Sequence, residues 1–248
     1  MEDGLSVVHL FAKQTPNLDR EAVLAAVKTA EGADCQVITA AMLGHKCDVA
    51  FMALCADWRT LRTLQTGLAD AGLDIADSYV SITEVSEYAK GMPEEMLRAR
   101  LTPTIPPEGL NAFCFYPMSK KREAAANWFA TPYDRRQEMM MEHGKSGRNF
   151  AGKVAQVISG STGLDDFEWG VTLFAKSPDV IRMSSTRCAS TRARPCTGNL
   201  VPSMSATLRT STTSSENLLR KCLRQSAHRY FLNPESHCVC GSTDLGNQ

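Results

Sequence analysis

The sequence contains no long hydrophobic run, and no apolar stretch approaches the roughly 20 residues that a helix needs to cross a bilayer. Its first residues, MEDGLSVVHLFAKQ, lack the basic and long apolar regions of a secretory signal. The formal net charge is zero. We therefore expect a cytoplasmic protein with reduced cysteines, whose partners are neither membranes nor nucleic acids.

The zero net charge hides an asymmetry along the chain. Residues 1–182 carry 24 acidic and 19 basic side chains, whereas residues 183–248 carry three acidic and eight basic ones. Five of the nine cysteines also lie in that last stretch. Such a shift in composition is typical of a disordered basic tail.

Hydrophobic periodicity in the first hundred residues predicts four strands and two helices. The helices cover residues 17–32, with Asn17 as the N-cap, and residues 57–72. The strands cover residues 6–12, 35–43, 47–56 and 78–86. The order βαββαβ is that of a ferredoxin-like unit.

A second unit begins after a Pro- and Gly-rich connector, and its pattern is βαββ. A strand at 112–120, a helix at about 132–150 and strands at 153–161 and 167–175 are predicted. Ser177, Pro178 and Asp179 are typical of a helix start. Beyond Arg182 the sequence is rich in Ser, Thr and Arg and has no apolar periodicity.

We therefore predict an α+β fold in which two ferredoxin-like (βαββαβ) units form one dimeric-barrel-type subunit, with the second unit incomplete. The expected organisation is an N-terminal half at 1–100, a connector at 101–111, a C-terminal half at 112–182 and a tail at 183–248.

Three residues of the second half could carry chemistry. His143 lies in MMMEHGKSGR on the predicted helix, and neutral imidazole is the usual proximal ligand of haem iron. Tyr116 and Lys120 are four residues apart on a strand and so share a face. Taken alone, the patterns more often describe a structural histidine and a half-buried tyrosine beside a solvated lysine.

The tail offers a competing metal site. Its potential ligands are Cys222, His228, His237, Cys238 and Cys240. Cys238 and Cys240 are separated by one residue, which is not the spacing of a zinc knuckle. We regard this zinc hypothesis as the weaker one.

Four blocks resemble the coproheme decarboxylase branch of the chlorite dismutase family. They are FCFYPMSKKRE (113–123), NWF (127–129), MMMEHGKSGRNFAGKVAQ (139–156) and SGSTGLDDFEWGVTLF (159–174). The resemblance extends from about Ser6 to Ile181.

The resemblance implies roles for seven residues. His143 would be the proximal iron ligand, and Tyr116 would be the radical-forming tyrosine that attacks the propionates. Lys120 and Arg100 match positions that hold propionate carboxylates, which suits the bidentate geometry of arginine. The remaining matches are two pocket tryptophans, Trp128 and Trp169, and Gln156, which stands where chlorite-degrading members carry a distal arginine.

By the same resemblance the expected enzyme is an oxidoreductase, a hydrogen-peroxide-dependent haem synthase. Iron coproporphyrin III (coproheme) would be both substrate and cofactor, and loss of two propionate carboxyls would give haem b. A homo-oligomer, pentameric in the family's manner, and a ferrochelatase-type porphyrin donor are also implied. The alternatives are a chlorite-degrading dismutase and a non-catalytic haem-binding remnant.

The tail itself points to a lost reading frame. Family members continue with a segment of the type DVVYQMRFDE, whose arginine by resemblance contacts a propionate, and then with one of the type YGEFGPFYVG. We back-translated two stretches of the tail, MSSTRCASTR (183–192) and TGNLVPSMSA (197–206). When each codon starts one nucleotide earlier, the first stretch permits DVVYQMRFDE and the second permits YGEFGPFYVG. We therefore expect that a nucleotide was lost near the Arg182 codon, and that the second unit lacks its last helix and strand.

Overall fold

The computed structural model describes residues 4–89, 91–124, 126–189, 204–207 and 223. The first half consists of β1 Ser6–Gln14, α1 Arg20–Glu31, β2 Gln36–Met42, β3 Val49–Cys55, α2 Trp58–Asp70, β4 Leu73–Thr83 and α3 Glu94–Leu101. The second half consists of β5 Ala112–Met118, β6 Arg122–Glu123, β7 Ala126–Asn127, α4 Tyr133–Arg148, β8 Val154–Gly160, β9 Trp169–Ala175, α5 Pro178–Ala189 and β10 Met204–Thr207. Within these ranges, every helix is too short or too polar to cross a lipid bilayer.

Eight strands form a closed antiparallel barrel in the order β1-β3-β2-β10-β5-β9-β8-β4. The first half contributes β4-β1-β3-β2 and the second contributes β10-β5-β9-β8. Each set therefore has its first strand beside its third and its fourth strand at one edge. This is the predicted pair of ferredoxin-like units, and the α+β fold class is confirmed.

The first half follows the predicted element order, with shifted boundaries. Helix α1 begins after Asp19, whose carboxylate accepts hydrogen bonds of 3.0 Å from the backbone N–H groups of Glu21 and Ala22. Asn17 is therefore not the N-cap. A carboxylate also interacts more favourably than an amide with the positive end of the helix dipole. Helix α3 was not predicted, because it is short and buries none of its side chains.

The expectation that the second unit lacks its last helix and strand is wrong. Helix α5 continues to Ala189, with Ile181 and Ser184 buried. Strand β10 then pairs with β2 on one side and β5 on the other. Any non-proline residue can form backbone hydrogen bonds, whatever its side chain. A short extended segment can therefore pair with the otherwise open edges of β2 and β5. Strand β10 overlaps 197–206, the segment expected to correspond to the family's final strand.

One further residue of the predicted tail is described. The side chain of Leu223 is fully buried among apolar residues of the first half. Its carbonyl accepts a hydrogen bond of 3.4 Å from the Arg20 guanidinium. Residues 190–203, 208–222 and 224–248 lie outside the described residues, and so do the five proposed zinc ligands of the tail.

The barrel interior is apolar but contains a histidine. His9 is 1% exposed, and its Nε2 lies 2.9 Å from the Thr172 hydroxyl. Its ring packs 4.2 Å, centre to centre, from that of Phe115. Burial lowers the His9 pKa to about 3, so the imidazole is neutral at physiological pH.

The expectation that all cysteines are reduced is wrong for two of them. Cys35 and Cys55 form a disulfide, with their Cα atoms 4.5 Å apart. Gln36 of β2 pairs with Leu54 of β3, so Cys35, which directly precedes β2, lies opposite Cys55 at the end of β3. Cys47 and Cys114 are buried and take no part in this disulfide. Sequence spacing alone gave no reason to pair residues that come together only through strand register.

Candidate functional site

The strands β8, β9 and β5 present one face away from the barrel interior. Phe113, Phe115 and Phe174 point inward, so the alternating residues between them point outward. Strand pairing arranges the outward side chains in three rows: Cys114, Leu173 and Gln156; Tyr116, Val171 and Ile158; Met118, Trp169 and Gly160. Three predicted site residues, Tyr116, Gln156 and Trp169, therefore lie on one face.

Among the described residues, helix α5 covers one end of this outer face. Helix α5 packs there through Ile181 against Ala112 and Ala175. Farther along, Ile158 is 44% exposed and Gln156 is also exposed. Tyr116 is half-buried, in the same row as Ile158. An exposed branched apolar side chain beside aromatic groups is a surface that suits a flat apolar ligand.

Helix α4 carries His143. The helix begins after Pro132 and runs beside α5. Arg136, Met139 and His143 recur at helical spacing on one side of it. His143 is half-buried, and its pKa is lowered by burial and, secondly, by the positive charge of Lys120. The neutral imidazole favoured by both effects is the form that ligates iron.

Lys120 is held at its backbone and at its ammonium group. Its backbone N–H donates a 2.7 Å hydrogen bond to the Glu168 carboxylate, which also forms an ion pair with Arg122. Its Nζ lies 4.3 Å from the centre of the Trp128 ring. Trp128 is 2% exposed. Lys120 and Trp128 are therefore in direct contact, and the charge of Lys120 acts on His143.

The other two predicted residues lie on β9 and α3. Trp169 begins β9, and its indole N–H donates a 2.8 Å hydrogen bond to Glu84. Arg100 is on α3 with its side chain exposed. Arg100 thus lies on a helix of the first half and not on one of the strands β5, β9 and β8.

Sequence reasoning missed three residues that hold the site in place. Glu168 directly precedes Trp169 in a quoted block, so its position could have been noticed. Arg136 lies seven residues before His143, which is two helical turns and hence the same side of α4. Glu84 follows β4 in the other half of the chain, and nothing in the sequence connects it with Trp169.

A metal site made of protein side chains alone is not present among the described residues, where no group of three or more His, Cys, Asp and Glu side chains could hold an ion. A porphyrin would instead need one axial ligand, an apolar face and cations for its carboxylates. His143, the Tyr116–Val171–Ile158 row and Lys120 match these three needs. The residues present therefore fit an iron porphyrin.

Comparisons with known proteins agree with this fit. The family model for chlorite dismutase matches residues 19–197. A coproheme decarboxylase from Staphylococcus saprophyticus is 42% identical over 147 residues, which are 54% of this chain. That match spans 57% of the length of the relative.

Solved structures share the fold over nearly the whole chain. A heme-binding protein from Thermus thermophilus is 27% identical, with a TM-score of 0.78 over 90% of this chain and 96% of that one. A mutant chlorite dismutase from Candidatus Nitrospira defluvii is 15% identical, with a TM-score of 0.68 over 90% and 97%. The second likeness is one of fold alone.

Proposed function

Because the chain belongs to the chlorite dismutase family, we propose that it is a peroxide-dependent coproheme decarboxylase that converts coproheme to haem b. The carrying observation is the outer face of β5, β9 and β8, where Tyr116 and Trp169 share one surface and Ile158 leaves it partly open. The relative from S. saprophyticus, a coproheme decarboxylase, supports the same substrate.

The proposed chemistry balances for each propionate. One propionate, one hydrogen peroxide and one proton give a vinyl group, carbon dioxide and two waters. The carbon–carboxyl bond breaks, one hydrogen leaves the neighbouring carbon, and the two electrons released reduce the peroxide. The bound iron porphyrin supplies the redox chemistry that activates peroxide.

The side chains of this protein would bind and orient the porphyrin. His143 would hold the iron through its neutral ring. Lys120 would place a fixed positive charge against a propionate, and Arg100 would do the same if α3 approaches the bound porphyrin. Such clamping sets the distance between the reacting carbon and the catalytic group.

Tyr116 is the proposed catalytic residue. Its phenolic oxygen, after losing one electron and one proton, would abstract a hydrogen atom from the propionate. The ring is half-buried against the apolar cluster of α5 and β9, which would restrict its motion. Trp169 would flank the porphyrin, Trp128 would support Lys120 at the edge of the pocket, and Gln156 would lie where a chlorite-degrading enzyme needs an arginine.

The test is to titrate the purified chain with coproheme, add hydrogen peroxide, and follow carbon dioxide and porphyrin mass. We expect loss of two carboxyl groups and formation of haem b. Oxygen release from chlorite at the rate of a dedicated enzyme would instead support a chlorite-degrading dismutase. Binding without release of carbon dioxide would support a haem-binding remnant.

We also propose that the enzyme is a cytoplasmic homopentamer that receives coproheme from a ferrochelatase-type donor. Sedimentation of the porphyrin-free chain tests the assembly. A monomer would contradict it. Transfer from a coproheme-loaded ferrochelatase, compared with free diffusion of the porphyrin, tests the donor.

A further inference from the structure

Arg136 is enclosed by aromatic rings. Its guanidinium carbon lies 5.6 Å from the ring centre of Tyr133, 5.9 Å from that of Tyr88 and 6.0 Å from that of Trp128. The side chain is 17% exposed. A guanidinium near several ring faces is attracted by each of them, and more strongly where water is excluded.

Polar contacts attach the same guanidinium to the segment after β4. Its Nη1 donates to the Glu87 carboxylate at 3.0 Å and to the Tyr88 hydroxyl at 2.9 Å. The Tyr133 hydroxyl donates to the Glu87 backbone carbonyl at 3.3 Å. The start of α4 is therefore fixed to residues of the first half.

Trp128 is shared by two cations. Lys120 contacts the indole at 4.3 Å and Arg136 at 6.0 Å. The ring is almost fully buried and packs with Met139 and Tyr88. A change at Arg136 that lets the indole move would therefore release the surface on which the Lys120 ammonium rests.

Arg136 also constrains the rotation of α4. Arg136 and His143 are two helical turns apart on one side of the helix. Of the described α4 side chains, only Met139 is fully buried. Apolar burial therefore contributes little to fixing the rotation, and the contacts of Arg136 contribute much.

We propose that Arg136 is a positioning residue that fixes Lys120 through Trp128 and fixes His143 through the rotation of α4. The proposal deepens the proposed function, because Lys120 and His143 are the groups expected to hold the porphyrin carboxylate and iron. Arg136 itself would not touch the substrate.

The first experiment needs no porphyrin. In carbon–proton correlation spectra of the full chain, the Lys120 ε-methylene should lie upfield of the other lysines, since it sits over an indole. Lys120→Met assigns the signal. We expect Arg136→Gln to move it toward the common lysine position, whereas Arg135→Gln should leave it in place. Arg135 is the adjacent exposed arginine, paired only with Glu138 among its described partners.

The second experiment uses iron coproporphyrin III. We expect Arg136→Gln to weaken binding by about 3- to 30-fold, the range between loss of an exposed and loss of a desolvated cation–π contact. It should also alter the axial-ligand bands. Arg136→Lys should recover part of both effects, because it restores the charge but not the planar guanidinium.

Glu87→Gln provides a second route if Arg136→Gln does not fold. It removes the carboxylate charge but keeps the guanidinium, so the Lys120 signal and the binding should change in the same direction by less. An unmoved Lys120 signal in folded Arg136→Gln, or in Glu87→Gln if that variant alone folds, would overturn the proposal. A wild-type chain that binds porphyrin without decarboxylating it would overturn only the proposed function, since the first experiment is read without porphyrin.

Discussion

The indole N–H of Trp169 donates a 2.8 Å hydrogen bond to the carboxylate of Glu84. Glu84 directly follows β4 of the first half, and Trp169 begins β9 of the second. Gly160 leaves room for this carboxylate, because a Cβ at that position would meet it. One polar contact thus joins the two halves and orients a predicted pocket tryptophan.

Replacing Glu84 by Leu should free the indole. We expect the Trp169 indole signal in a nitrogen–proton correlation spectrum to shift and to exchange faster with water. The free energy of unfolding should fall by about 1 kcal/mol, the usual net contribution of one hydrogen bond. Glu84→Gln keeps an acceptor and is the control. Gly160→Ala should reproduce the effect of Glu84→Leu, and an unchanged indole signal in both would contradict this role.

Replacing His143 by Ala should remove the axial-ligand signature from the spectrum of bound iron coproporphyrin. The reason is that the imidazole supplies the only proposed protein bond to iron. The exposed His45 provides a matched control, and His45→Ala should leave the spectrum as in the wild type. Unchanged spectra in the His143 variant would mean that another residue holds the iron.

Replacing Tyr116 by Phe should keep porphyrin binding and stop decarboxylation. The ring that packs on the outer face remains, while the oxidisable hydroxyl is lost. Tyr79→Phe is the comparison, since the Tyr79 hydroxyl bonds to Ser161 in the barrel interior. Product formation at the wild-type rate by Tyr116→Phe would remove this residue from the mechanism.

His9 should make the barrel sensitive to acid. Its pKa is lowered by burial from 6.5 to about 3 in the folded chain. At pH values between these two, the unfolded chain therefore binds one proton more than the folded chain. Stability should therefore fall with decreasing pH between about 6.5 and 3, by about 1.4 kcal/mol per pH unit from this group.

Urea unfolding of the wild type and of His9→Gln across that range isolates the contribution. Glutamine keeps a group that can bond to Thr172 but does not titrate. The difference between the two chains should grow as the pH falls. Parallel curves would show that His9 has no part in acid unfolding.

Inserting one nucleotide at the Arg182 codon should give a chain that binds coproheme more tightly and turns it over faster. The restored frame would supply the DVVYQMRFDE segment, whose arginine is expected by resemblance to contact a propionate. Calorimetric titration and carbon dioxide release compare the two chains. Equal activity without the insertion would contradict the frame hypothesis.

Much of the fold could be predicted because it depends on local patterns. Leu61, Leu64 and Leu68 recur at helical spacing and are all buried in α2. The alternation in β5 likewise placed Tyr116 on one face. Such periods survive in the sequence because neighbouring residues alone decide which face of an element is apolar.

The positions of the site residues could be predicted only in part. The family resemblance indicated which residues to consider. It did not indicate that the Lys120 ammonium would contact the Trp128 ring. It also did not indicate that aromatic rings from separate segments of the chain would surround the Arg136 guanidinium. Arg136 and Tyr88 are 48 positions apart, and no local pattern encodes their contact.

The sequence by itself determined the βαββαβ order of the first half, the βαββ order that begins the second half and the family, because these depend on periodicity and on contiguous blocks. Only the tertiary structure decided that β10 closes the barrel, that Cys35 meets Cys55, and that Glu84 holds Trp169. Each of these depends on strand register and on closure of the barrel, which bring distant residues within bonding distance only after the chain has folded.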